Sequence, residues 1–150
     1  MKDYYYVACN DLKFLEDIKR TTHYNNIAIM CQQVGEKLLK SVCELSCPDE
    51  VYKKTHSLSK LYGLVSGYVE GRTLSNRDLA YLTDFYFDAR YPGDDYIDVS
   101  ETETSDCLSI LQSIVEWVRE FRESKGLSTE GLKSSKRQDL CEIAEGLCEK

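Results

Sequence analysis

Arg90, Tyr91 and Pro92, followed by Gly93, Asp94, Asp95 and Tyr96, are the residues of this chain best arranged to do chemistry. A proline cannot continue a helix, and it pushes the residue before it out of the α region. Arg90 and Tyr91 are therefore expected at a forced helix exit, on a surface corner. An arginine there can grip a carboxylate or phosphate with two parallel bonds, and Tyr91 and Tyr96 offer faces on which a base can stack. Gln33, Lys37 and Lys40 lie at helical spacing upstream, and His56 opens a later element. With Arg90 they would form a small anion-binding patch. Each residue also has an ordinary structural use. Glu36 and Lys40 stand in the favourable i,i+4 order for an ion pair, and Arg90 can pair with Asp94, Asp88 or Glu36. Tyrosines beside a proline turn can pack the end of a bundle, and His56 can cap or orient its helix.

The elements that must position these side chains are helical. Tyr5, Ala8, Leu12 and Leu15 mark a first helix ending near Arg20, and Ile27, Cys31, Val34, Leu38, Val42 and Leu45 trace a stripe at alternating three and four residues. That second helix is predicted from Tyr24 to Leu45, closed by Pro48. Leu58, Leu61, Val65 and Tyr68 give a shorter third helix that breaks around Gly71. Ser75 and Asp78 cap a fourth, which carries Leu79, Leu82, Phe85, Tyr86 and Ala89 inward and stops before Pro92. Ser100 and Glu103 form a capping box for a fifth, with Cys107, Leu108, Leu111, Ile114, Val115, Val118 and Phe121 along it. Past Lys125, Gly126, Gly131 and several serines read as a flexible joint, before a short helix through Leu140, Ile143, Ala144 and Leu147. No strand pattern appears. The expected fold is all-α, an antiparallel up-and-down bundle over residues 1–124 with a C-terminal joint and tail over 125–150.

The chain has 150 residues, enough for one domain with a proper core. No apolar run approaches a membrane span, and the opening lacks the apolar core of a signal peptide, so a cytoplasmic address is expected. The seven cysteines contain no Cys-x-x-Cys pair and read as reduced thiols on apolar helix faces, with no metal site. Between Asp84 and Asp106 eight carboxylates stand against Arg90 alone, which accounts for the whole net charge of −7. A long polyanion would be repelled there. Asp94, Asp95 and Asp98 have the hard oxygens to hold Mg²⁺ together with a nucleotide's phosphates, and the same carboxylates suit a basic protein partner.

Four features in order make the chain resemble the HEPN (higher eukaryotes and prokaryotes nucleotide-binding) domains over roughly residues 3–122. They are Ala8 with Asp11-Leu12 on the first helix, Gln33, Glu36-Lys37 and Lys40 on the second, His56-Ser57-Leu58 at the start of the third, and Tyr86 with Arg90-Tyr91-Pro92 closing the fourth. The resemblance implies a helical bundle that commonly forms a homodimer and associates with nucleotides or RNA. It also implies a possible nucleotidyltransferase partner in a toxin–antitoxin pair. Its RNase members place a histidine after the arginine with four to six residues between the two. Here those positions hold Asp95, Tyr96 and Ile97. Metal-independent RNA cleavage at neutral pH wants a group titrating near neutrality, which imidazole supplies and phenols and carboxylates do not. The expectation is a non-catalytic binding module, with ligand contacts at Gln33, Lys37, Lys40, His56, Arg90, Tyr91 and Tyr96. Two alternatives stay open: a divergent endoribonuclease pairing Arg90 with His56, and an acidic protein-interaction module.

Overall fold

The computed structural model describes residues 2–135. Five α-helices form an all-α bundle: α1 (Tyr4–Ile18), α2 (Tyr24–Ser46), α3 (Leu58–Val65), α4 (Asn76–Asp88) and α5 (Glu101–Ser124). Short polar side chains start most of them, as first-turn N–H groups without intrahelical partners demand. Asp3 accepts from the Tyr6 N–H, Ser57 from Lys60 and Ser75 from Asp78. Ser100 and Glu103 satisfy each other's backbone in a reciprocal box. Beyond α3 the chain tightens into a 3₁₀ turn over Ser66–Tyr68 and reverses at Gly71, whose φ of 78° suits glycine.

α2 is the central rod, packed against each of the other four helices. Its apolar stripe is accordingly wider than a surface helix needs, taking in Ile27, Ala28, Cys31, Val34, Leu38, Leu39, Val42 and Cys43. Gly35 packs tightly against α5, since a Cβ there would stand 3.0 Å from Ile114 Cδ1. Burial pushes the thiols of Cys31 and Cys107 well above their ordinary value and that of Cys43 up to about 12, so they behave as small apolar groups. No helix among the described residues is long and apolar enough to cross a membrane.

Contacts between helices give the directions. Tyr4 meets Glu44 and Asp11 meets Lys37, so α1 and α2 run antiparallel. Asn25 meets Val99 and Gly35 meets Leu111 and Ile114, so α5 lies alongside α2 in the same sense. The segment after α2 makes this possible. It doubles back along that helix, through a 3₁₀ turn over Glu50–Lys54, bringing the Lys53 carbonyl to Lys40 and His56 to Glu36. The return delivers α3 to the middle of α2 and covers the polar edge that carries Gln32, Glu36 and Lys40.

The aromatic opening divides as its half-polar rings require. Tyr4 and Tyr5 are half-buried and Tyr6 is exposed. Tyr4 meets buried Tyr52 edge-on, and the guanidinium of Arg122 lies 3.5 Å over the Tyr5 ring. After α5 ends at a positive-φ Gly126, the described part of the joint forms a 3₁₀ turn over Glu130–Ser135. It seats Leu132 with no exposure, and Arg119 Nη2 donates to the Leu132 carbonyl at 3.1 Å. The helix expected through Leu140, Ile143, Ala144 and Leu147 lies outside the described residues.

Gly131 fits that turn tightly against α1. A methyl added there would fall 2.9 Å from Cys9 Cβ, closer than atoms pack. Gly131→Ala is expected to lift the turn from α1 at a cost of about 1–3 kcal/mol, in the range of overpacking changes. Maleimide labelling mapped to the Cys9 peptide checks it, because buried Cys9 should become reactive while the helical content holds.

Candidate functional site

The polar edge of α2 forms a buried network. Gln32, Glu36 and Lys40 stand one helical turn apart and so share a face. Glu36 Oε1 accepts from Gln32 Nε2 at 3.1 Å and pairs with His56 Nδ1 at 3.0 Å, while Oε2 accepts from Lys40 Nζ at 2.9 Å. Lys40 Nζ also donates to the Lys53 carbonyl at 3.1 Å, Gln32 Nε2 to the His56 carbonyl at 3.1 Å, and Gln33 Nε2 to Gln32 Oε1 at 2.7 Å. Glu36 and Lys40 are only 5% and 4% exposed. An ionised carboxylate only accepts hydrogen bonds, so Glu36 fixes the proton of His56 on Nδ1 and leaves Nε2 for other partners.

The His56 ring, half-exposed, stacks on Tyr86 of α4 with centroids 3.9 Å apart and planes 17° from parallel. Arg90 approaches the same tyrosine, its Cζ 4.9 Å from the Tyr86 centroid and 5.9 Å from that of Tyr91. Such placements are attractive through the ring quadrupole, by about 0.5–1 kcal/mol at exposed sites. α4 ends at Asp88, and the Arg90 and Tyr91 N–H groups both donate back to the Phe87 carbonyl, which turns the chain ahead of Pro92. The sequence from α2 outward is thus Glu36, His56, Tyr86, Arg90. It joins α2, the approach to α3, and α4 in one continuous set of contacts.

Among the described residues Arg90 makes no ion pair and no side-chain hydrogen bond; the pairing with Asp94, Asp88 or Glu36 weighed from sequence is not formed. Lys37 turns instead to Asp11 of α1, and Lys40, expected on a solvated face, lies buried against Glu36. Both lysine charges are therefore matched internally. Gln33 serves the network through Gln32. Tyr91 and Tyr96 are 49% and 45% exposed, and Tyr91 stands 5.9 Å from the exposed Phe87 ring. Asp94, Asp95 and Asp98 are all exposed, and no group of three or more potential metal ligands gathers among the described residues.

Three contributors escape a reading of the sequence. Tyr86 reads as an inward-facing residue of α4, without any sign that it would be the shared pivot of His56 and Arg90. Gln32 reads as one more polar residue beside the stripe. Asn25 reads as part of a helix start, yet its carboxamide bonds to Ala89, Ile97 and Val99. The only signal for any of them is the i,i+4 repeat Gln32, Glu36, Lys40 running beside an apolar stripe.

No curated protein and no solved structure gives a match. The family model of the HEPN domain does match, over residues 1–121. The matched span holds the whole Glu36, His56, Tyr86 and Arg90 set and nearly all of α5. On that match, and on the helical bundle that carries it, this chain belongs to the HEPN domain family.

Proposed function

We propose that the Arg90 corner is a non-catalytic binding site for a nucleotide unit, either a free nucleotide or the accessible end of an RNA. The single observation that carries this reading is a guanidinium with no acidic partner among the described residues, stacked on a tyrosine whose ring also holds His56. An unpaired, partly buried guanidinium supplies the charge-assisted bonds a phosphate wants. Exposed Tyr91 and Tyr96 supply faces for a base. The run of carboxylates from Asp84 to Asp106 favours a short anion over a long one. Arg90→Ala is expected to weaken binding of a fluorescein-labelled single-stranded RNA decamer, or of a fluorescent ATP analogue, by about tenfold to a hundredfold. That matches the roughly 1.5–3 kcal/mol of a hydrogen bond to a charged group. The helical circular dichroism spectrum should be unchanged. Unaltered affinity would overturn the assignment, and an unfolded variant would make Arg90 a structural residue.

One observation favours a second reading, a divergent metal-independent endoribonuclease. Glu36 orients the His56 ring with Nε2 free, and both His56 and Arg90 lie within 5 Å of the Tyr86 centroid. A carboxylate-oriented imidazole is a competent general base or acid. Cleavage of end-labelled RNA in EDTA that disappears in His56→Ala would establish it. The exposed Phe87 and Tyr91 rings beside the acidic segment also support docking of a protein, for which a nucleotidyltransferase of a toxin–antitoxin pair is the candidate the family offers. Exposed Tyr6 is a natural contact for self-association into a homodimer, and a cytoplasmic address is proposed with it.

A further inference from the structure

We infer that Asn25, in the first turn of α2, is the positioning residue of the Arg90 corner, and this rests on the reading of that corner as a ligand site. The chain leaves α4 at Asp88 and enters α5 at Glu101, and the segment between them carries Arg90, Tyr91 and Tyr96. Within it the backbone closes on itself through Ile97 N–H to the Asp88 carbonyl at 2.9 Å and Tyr96 N–H to Gly93 at 3.2 Å. Among the described residues, Asn25 of α2 is the side chain that ties both ends of the segment to the central helix. Asn25 Nδ2 donates to the Ala89 carbonyl at 3.0 Å and the Ile97 carbonyl at 2.9 Å, and stands 3.3 Å from the Tyr96 hydroxyl. Its Oδ1 accepts from the Val99 N–H at 2.8 Å.

The chemistry selects asparagine. Two carbonyls need two donors and one N–H needs an acceptor, and a primary amide has both on one short stem. Aspartate cannot donate to the carbonyls, and alanine offers neither group. The carbonyl held at one end belongs to the Ala89–Arg90 peptide, so Asn25 fixes the plane from which the Arg90 side chain departs. Through Tyr96 it also holds one of the two exposed rings of the corner. The guanidinium is thereby presented over Tyr86 before any ligand arrives, which spares the ligand the cost of ordering a loop.

A double-mutant cycle tests this, because a residue that acts chiefly through Arg90 has little left to position once Arg90 is gone. The probe is the labelled RNA decamer, with hydrogen exchange of the segment measured in parallel. Asn25→Ala is expected to weaken binding about tenfold in the wild-type background and less than twofold in the Arg90→Ala background. Exchange at the Val99 amide should accelerate at least tenfold while amides of α2 and α5 keep their protection. Equal losses in the two backgrounds, or wild-type affinity despite a released Val99 amide, would overturn the inference. If Arg90→Ala itself leaves affinity unchanged, the ligand reading fails. The exchange data then decide the latch alone: acceleration confined to residues 90–99 upholds it, and unchanged exchange refutes it. Asn25→Ser provides a second variant should alanine unfold the chain.

Discussion

Glu36→Ala is expected to destabilise the bundle by about 3–5 kcal/mol, the range for removing one partner of a buried ion pair. Lys40 is 4% exposed, and its ammonium has Glu36 Oε2 at 2.9 Å and only a carbonyl, that of Lys53, as its other acceptor. Without Glu36 a charge is left buried against a neutral oxygen, and the Gln32 amide and His56 Nδ1 each lose an acceptor as well. Removing both charges together with apolar side chains, as in Glu36→Leu with Lys40→Met, leaves no unpaired ion and is expected to recover most of the loss. Urea denaturation checks both, with the midpoint moving and the slope unchanged. In either variant His56 loses the carboxylate that fixes its proton, so RNA or nucleotide binding should weaken even where stability is regained.

Trp117→Ala is expected to cost about as much, 3–5 kcal/mol, for a different reason. Trp117 has no exposure and sits in an aromatic stack, edge-on to Tyr62 with centroids 5.6 Å apart and parallel to Phe121 at 6.3 Å. Tyr62 in turn accepts the Leu74 N–H at 3.0 Å, which ties down the connection before α4. The cavity would therefore loosen a ring and a loop together. Trp117 Nε1 has no hydrogen-bond partner among the described residues. Trp117→Phe forfeits no bond and is expected to cost less than half as much in thermal denaturation. Neither variant touches the Arg90 corner, so affinity per folded molecule should be that of the wild type. The pair thereby separates scaffold from site.

How far the sequence discloses this molecule depends on whether the deciding contact is local. Helix starts at Ser75 and Ser100 and the start of α2 at Tyr24 are legible, because caps and apolar periodicity act within a few residues. The Arg90 corner is legible for the same reason, since α4 cannot continue through Pro92. The burial of Lys40 is not. As an exposed helix residue it would form an ordinary i,i+4 pair; only the return of residues 47–57 along α2 takes that pair out of water. Tyr86 has the right face but an undisclosed partner, because His56 reaches it through that same return. Asn25 is hidden by its neighbourhood: two asparagines ahead of Ile27 are a common helix start, and nothing nearby in sequence points to residues 89–99.

The family assignment rests on the whole bundle, whereas the functional reading rests on one cluster of side chains. Photo-crosslinking of a 4-thiouridine-labelled RNA decamer, mapped by mass spectrometry, interrogates that cluster directly. Adducts are expected on Tyr86, Tyr91 or Tyr96, competed away by excess nucleotide. Adducts confined to other faces, such as the groove beside Leu45 and Tyr68, would contradict it.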